Sequence, residues 1–283
     1  MQFGPQDVVW ITGASGRIGR ELEPLFDRSR YIVITTDSEV DVTDLDAVKT
    51  YVNRNRPNII VNCASLSSRE QALANPLEAY RVNTLGARNL AILSAQTGAL
   101  LVHFSTDDVF AGNTKTSVNE FDTAHPRDVF GKSKLAGENF VRELNEHHII
   151  IRSSWVYANR DDNFFGQVIN AAKTGEKMPV SATQISSPTS VATFASFVIS
   201  VIESGEFGLF HASCEGTVSR FEFAKRILEL AGLSTDCVVG DYNSEDSYYL
   251  DLENLMLELT GILTMPHWED DLKAYMQSQG LLA

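Results

Sequence analysis

The sequence is poor in cysteine, with three in 283 residues: Cys63, Cys214 and Cys237. They are odd in number, far apart and form no metal-ligand pair. That argues against a disulfide framework or a zinc site and points to a reducing, cytoplasmic setting. Basic charge is also scarce. Twenty-three Lys and Arg stand against 37 Asp and Glu, a net charge of −14, with no basic run. A duplex-binding protein neutralises phosphates with clustered Lys and Arg, so nucleic acid is not an expected partner. Long apolar runs are missing too. The best candidate, 191–202, is interrupted by Thr193, Ser196 and Ser200, and a spanning helix needs roughly 18 apolar residues. The opening residues 1–7 lack the basic and apolar stretches of a secretory leader. No membrane association is expected. Repeats, low-complexity tracts and flexible linkers are absent.

What is present is an ordinary globular composition, 43% apolar and 21% charged. Short continuous apolar runs at 8–11, 31–34, 58–61, 100–104 and 149–151 suit strands covered on both faces. Helical patterns fall between them at 16–28, 45–54, 85–96 and 130–144, with Pro24 predicted to kink the first. This rhythm predicts a Rossmann-like, doubly wound α/β parallel sheet. After Val156 it loosens: a loop at 159–163, a helix at 164–173, a turn at 175–179, a strand at 207–211 and a helix at 221–230. The expected organisation is a dinucleotide-binding domain over 1–157, with 187–212 returning to it. A small C-terminal substrate-binding subdomain would comprise 158–186 and 213–283.

The segment Thr12-Gly13-Ala14-Ser15-Gly16-Arg17-Ile18-Gly19 follows the first predicted strand and opens the first helix. Gly13 permits a tight turn, Gly16 lets backbone approach a pyrophosphate, and Gly19 lets the helix pack closely on the strand. The spacing is GxxGxxG. Gly13, Ser15, Gly16, Arg17, Ile18 and Gly19 are therefore candidate contacts for NADPH or NADH. Asp37, just past the second strand, is either a carboxylate for an adenosine ribose diol or a turn aspartate. Arg17 suits a 2′-phosphate instead, so NAD and NADP both stay open.

Further segments fall in order: Asn62-Cys63-Ala64, Ser105-Thr106-Asp107-Asp108-Val109-Phe110, Phe130-Gly131-Lys132-Ser133-Lys134-Leu135-Ala136-Gly137-Glu138, Arg152-Ser153-Ser154-Trp155-Val156-Tyr157, Gln184 with Pro188-Thr189, and Pro266-His267-Trp268. In this order and spacing the chain resembles the dTDP-4-dehydrorhamnose reductases, extended short-chain dehydrogenase/reductases of nucleotide sugars. The resemblance implies a nucleotide-sugar substrate whose 4-keto carbon receives hydride. It implies Thr106 as the substrate-oxygen residue and Lys134 as the ribose-binding lysine. It adds cofactor contacts at Asp41, Val42, Cys63, Ala64 and Ser65, and substrate contacts at Asp107, Asp108 and Trp155. The catalytic tyrosine of the family's Tyr-x-x-x-Lys motif falls on Phe130, which has no proton to give.

Other departures accompany this one. Asp108 stands where the family has an aromatic residue; it is a substitute proton source, a surface or capping carboxylate, or, in the resemblance of Ser-Thr-Asp-Asp to the Thr-Asp-Glu of the nucleotide-sugar 4,6-dehydratases, one of a pair of acid/base carboxylates. Ser68-Arg69-Glu70-Gln71 and Ser244-Glu245 also differ from the family pattern. The cofactor half thus matches better than the substrate half. Two functions follow: an impaired nucleotide-sugar reductase, or a non-catalytic NAD(P)-binding regulatory or assembly subunit. His211 reads as a structural histidine and His147-His148 as a loop. Glu120 and Asp122 read as a solvated loop, or as cation ligands at a homodimer contact as in some relatives. No resident metal is expected.

Overall fold

A computed structural model describes residues 6–112, 116–243 and 246–283; the departure at Ser244-Glu245 lies outside them. The five apolar runs become β1 (Asp7–Thr12), β2 (Tyr31–Thr36), β3 (Ile59–Asn62), β4 (Leu100–Phe104) and β5 (His148–Arg152). They form one parallel sheet in the order β5-β4-β3-β1-β2, and a further strand, Gly208–His211, lies beside β5. Continuous apolarity has the expected cause: Ile59 to Val61 and Leu101 to Phe104 are buried on both faces. Strand order reverses between β1 and β3. At such a switch point the carboxyl ends of the strands part and leave a crevice.

The helices are α1 (Arg17–Leu22), α2 (Leu45–Asn55), α3 (Arg69–Ala74), α4 (Pro76–Tyr80), α5 (Ala87–Thr97), α6 (Val129–Leu144), α7 (Phe164–Thr174), α8 (Val191–Ser204), α9 (Arg220–Leu230), α10 (Leu255–Thr260) and α11 (Trp268–Ser278). Pro24 kinks nothing: α1 has ended at Leu22, and the proline sits in a separate 3-10 turn. Ahead of α5 the chain runs as a π-helix over Arg81–Gly86, so the helical path begins earlier than expected. Gly175 ends α7 in the left-handed region, but Met178–Ser181 continues as a strand. His148 opens β5, which corrects the loop expected there. No helix among the described residues is long and apolar enough to cross a membrane.

The chain divides into two compact units, each assembled from three segments. The first is Met1–Ala111, Thr123–Arg152 and Ala195–Phe210; the second is Gly112–Asp122, Ser153–Phe194 and His211–Ala283. Compared with the sequence-based division, 112–122, 153–157, 187–194 and 211–212 lie in the second unit. The first unit's core packs Trp10, Ile60, Leu101 and Ile150 against Val48, Leu90 and Val141. The second holds small sheets, with Gln184–Ser186 between Val218–Ser219 and Tyr248–Tyr249. Its core is aromatic: Tyr157 stacks on Phe165 at 5.7 Å and meets Phe223 and Tyr275. Asp271 of α11 is buried there. It accepts from Tyr157 Oη, the Ser190 N–H, Ser190 Oγ and Thr193 Oγ1, so a buried charge is matched by four donors.

Candidate active site

The glycine turn ends β1 and enters α1. Gly13 has φ 61°, and a Cβ there would lie 2.8 Å from the Ala64 nitrogen after β3. A Cβ on Gly19 would lie 2.6 Å from Ala14 Cα. Both glycines are required by close approach. Gly16 caps α1 in extended conformation, and its N–H donates to Gly13 O at 3.1 Å. Ser15 is exposed, and Arg17 and Ile18 are half-buried. Asp37 Oδ1 accepts from both the backbone and the hydroxyl of Ser15, each at 2.9 Å, so this carboxylate braces the turn. Asp41 and Val42 behave differently. Asp41 is exposed and accepts from the Thr43 N–H, while Val42 is buried in the sheet-facing core.

From the same turn a polar layer runs beneath α6. Thr12 Oγ1 donates to Asn62 Oδ1 at 3.0 Å, and Asn62 Nδ2 lies 3.1 Å from His103 Nδ1. Burial holds the His103 imidazole well below its usual range, hence neutral. Burial pushes the Cys63 thiol up, against the nearby Lys134 charge, which favours the protonated form. Asn83, on the π-helix, binds the loop after β3 and α6 together. Its Oδ1 accepts from Ser65 Oγ and the Leu66 N–H; its Nδ2 donates to Leu66 O and Ser133 Oγ. A π-turn commonly marks a functional site.

On α6, Phe130 and Lys134 stand one turn apart. Lys134 is 4% exposed and its Nζ lies 3.5 Å from Ser65 Oγ. Burial lowers the ammonium to about 8, with Glu138 and Cys63 working in the other direction. Phe130 is 7% exposed and packs with Ala72 of α3 and Ala79 of α4. The turn after β4 carries Thr106, whose hydroxyl accepts from the Asp108 N–H at 3.2 Å and lies 3.1 Å from Asp107 Oδ1 and 3.3 Å from Asp108 Oδ2. The turn is pressed onto α6 at Gly131, where a Cβ would collide with the Asp108 carbonyl. Gly131→Ala is expected to destabilise the fold by about 1–3 kcal/mol and shift the turn that holds Thr106, a loss read from the urea midpoint.

Two departures from the family pattern meet here. Arg69, first residue of α3, pairs through Nη2 with Asp108 and lies 3.6 Å through Nε from Asp128. Asp128 is also the cap of α6, accepting from the Gly131 N–H at 2.8 Å. One guanidinium thereby ties the Thr106 turn to the start of the helix that carries Phe130 and Lys134. Asp108 would have to break this ion pair to carry a proton. Residue order alone assigns no role to Arg69, Asn83 or Gly131; the signal for Arg69 and Asp108 lies in their departing together from the family pattern.

The remaining candidates lie in the second unit. Trp155 has φ 38°, and its Nε1 donates to Tyr248 Oη at 2.8 Å. His211 is structural: it is fully buried, its N–H donates to Glu120 Oε1 and its ring contacts the Glu253 carbonyl. Glu120 is not part of a solvated loop. It is 7% exposed, accepts also from the Met256 N–H, and its carboxyl is raised by burial. Asp122 accepts from the Asn119 N–H. No group of three metal-ligating side chains occurs among the described residues.

A reversed parallel sheet with a glycine-bound first turn and a buried lysine beyond it defines a Rossmann-like α/β protein. The RmlD substrate binding domain family profile matches residues 7–280. The spore coat polysaccharide biosynthesis protein SpsK of Bacillus subtilis is 34% identical over 278 residues, 96% of this chain and 97% of that protein. The dTDP-4-dehydrorhamnose reductase of Aggregatibacter actinomycetemcomitans is 37% identical over 229 residues, 78% of each. A crystal structure of dTDP-4-dehydrorhamnose reductase from Bacillus anthracis in complex with NADP superposes with a TM-score of 0.92 at 35% identity, covering 97% of this chain and 99% of the other. The chain belongs to the dTDP-4-dehydrorhamnose reductase family.

Proposed function

We propose that this chain binds NADPH or NADH at the glycine turn and directs it at the 4-keto group of a dTDP-6-deoxy-sugar, with the chemical step slowed by Phe130. The observation that carries the reading is Lys134, an ammonium buried beside Ser65 on the loop that packs onto Gly13. A pyrophosphate fits the start of α1, where Gly16 is exposed and no side chain caps the helix, and a ribose fits a buried ammonium with donors to spare. The nicotinamide, when bound, supplies the hydride. This chain's residues do the rest. Lys134 holds the ribose, Asp37 and Arg17 meet the adenosine end, and Thr106 offers its hydroxyl to the substrate oxygen after exchanging it from Asp107 or Asp108. No hydroxyl stands at Phe130 to deliver the proton.

A second reading, a non-catalytic NAD(P)-binding subunit, has one observation in its favour. The Phe130 ring is packed among alanines and the neighbouring Asp108 is ion-paired, so the usual proton source is missing and its substitute engaged. NADPH oxidation with a dTDP-4-keto-6-deoxy-sugar separates the two, and no turnover by either the parent or Phe130→Tyr sinks the reductase.

The lysine adds a test of cofactor binding alone. Its ammonium form dominates below pH 8 and is lost above it. NADPH affinity is therefore expected to fall as pH rises through about 8, and Lys134→Met to flatten that dependence. A titration by coenzyme fluorescence with no inflection in the parent counts against the ribose role.

A further inference from the structure

One cation of the second unit is held unlike the others. Arg220 is the first residue of α9, where the helix dipole disfavours positive charge. Its guanidinium carbon lies 4.1 Å from the ring centroid of Trp155 and 5.0 Å from that of Phe164. Among the described residues it has no carboxylate partner. The other cations of α9 do: Lys225 pairs with Glu222, and Arg226 with Glu229 and Glu269. The charge of Arg220 is met by two ring faces rather than by a carboxylate.

The support beneath it is rigid. Trp155 holds a left-handed φ of 38°, which is costly for a bulky residue and persists only when its surroundings enforce it. Its indole N–H is fixed by Tyr248 Oη, and the two rings meet edge to face. Arg220, Trp155 and Phe164 are each half-buried. Stacking occupies the faces of a guanidinium and leaves its in-plane N–H fork for bidentate bonding. Little rotamer entropy remains to be lost when an anion binds. In a chain of net charge −14, a fixed guanidinium without a counter-charge is a local exception to the protein's field.

We propose that Arg220, held on Trp155 and Phe164, is an anion site that takes the diphosphate of a nucleoside-diphosphate ligand. This deepens the nucleotide-sugar reading and rests on it for the ligand class. The in-plane fork bonds two phosphate oxygens; no covalent step is involved.

The test is calorimetric titration of the full chain with dTDP, and with inorganic pyrophosphate as competitor. Arg220→Met keeps the length and apolar stem while removing the fork. It is expected to weaken dTDP binding about 10- to 100-fold and to reduce the salt dependence of binding. Pyrophosphate should displace dTDP from the parent. Arg220→Gln serves if the methionine variant melts early, with the thermal midpoint as the check on folding. Equal dTDP affinity in parent and folded variant overturns the proposal, as does a parent that binds neither dTDP nor pyrophosphate. Arg220-dependent dTDP binding without NADPH oxidation would sink the reductase reading and leave this site standing. NADPH oxidation with Arg220-independent binding would do the reverse.

Discussion

Replacing Phe130 with tyrosine is expected to raise the rate of dTDP-4-keto-6-deoxy-sugar reduction by about 10²–10⁴-fold, the usual worth of a positioned general acid. The ring is already in place. It lies on α6 one turn before Lys134, and Ser133 Oγ donates to its backbone carbonyl at 2.8 Å. Substitution adds one oxygen at the para position and leaves the contacts with Ala72 and Ala79 intact. The Lys134 ammonium would favour the phenolate and so lower the new phenol's pKa. KM should change little, because the hydroxyl acts in the transition state. Steady-state rates of parent and variant with the same NADPH decide it. A variant no faster than the parent would mean that this pocket is not a reductase pocket short of one hydroxyl.

Removing Arg152 is expected to cost about 3–5 kcal/mol, the penalty for leaving a buried charge without its main partner; Arg142, largely exposed, reaches the same carboxylate only at 3.7 Å. Glu138 is fully buried and Arg152 almost so; they bond twice, at 2.9 and 2.7 Å. Ser105 Oγ donates to the same carboxylate, and the guanidinium lies 5.1 Å from the Phe110 ring centroid. Glu138 is one turn beyond Lys134, so the pair also fixes the helix on which the candidate chemistry stands. Arg152→Met should lower the urea midpoint sharply, and adding Glu138→Leu should restore part of the loss because the underpaired buried charge goes with it. A single variant within about 1 kcal/mol of the parent would mean that Glu138 finds water or protonates at little cost.

Much of the first unit could be read from residue order alone. Strands buried on both faces leave continuous apolar runs, as in β3 and β4, and the edge strand β2 keeps such a run although Ile32 is exposed; a glycine whose Cβ would strike Ala64 has no substitute, so β1 to β5 and the Gly13 turn were legible. The start of α5 was not. A π-turn differs from an α-turn by a single extra residue, and Arg81 to Gly86 carry no pattern that separates the two. The short strands of the second unit, two to four residues long, are set by tertiary partners and lie below the reach of periodicity. At the site, Phe130 was legible as a missing oxygen. The fate of Asp108 was not, since its partner Arg69 is 39 residues away and only the fold brings them together. Glu120 is not legible because Asn119 and Asp122 near it look like a loop, whereas the His211 and Met256 N–H groups draw its carboxylate inside. Arg220 carries no signal in residue order, because Trp155 and Phe164 reach it only through the fold.

The interleaving of the two units has a consequence for engineering. The chain passes from one to the other after residues 111, 122, 152, 194 and 210. Neither unit is encoded by one uninterrupted stretch of gene, so no single truncation isolates either. A chimera that borrowed its second unit from a relative would need three segments exchanged at five junctions. New specificity is therefore more accessible by point substitution within this scaffold than by shuffling modules.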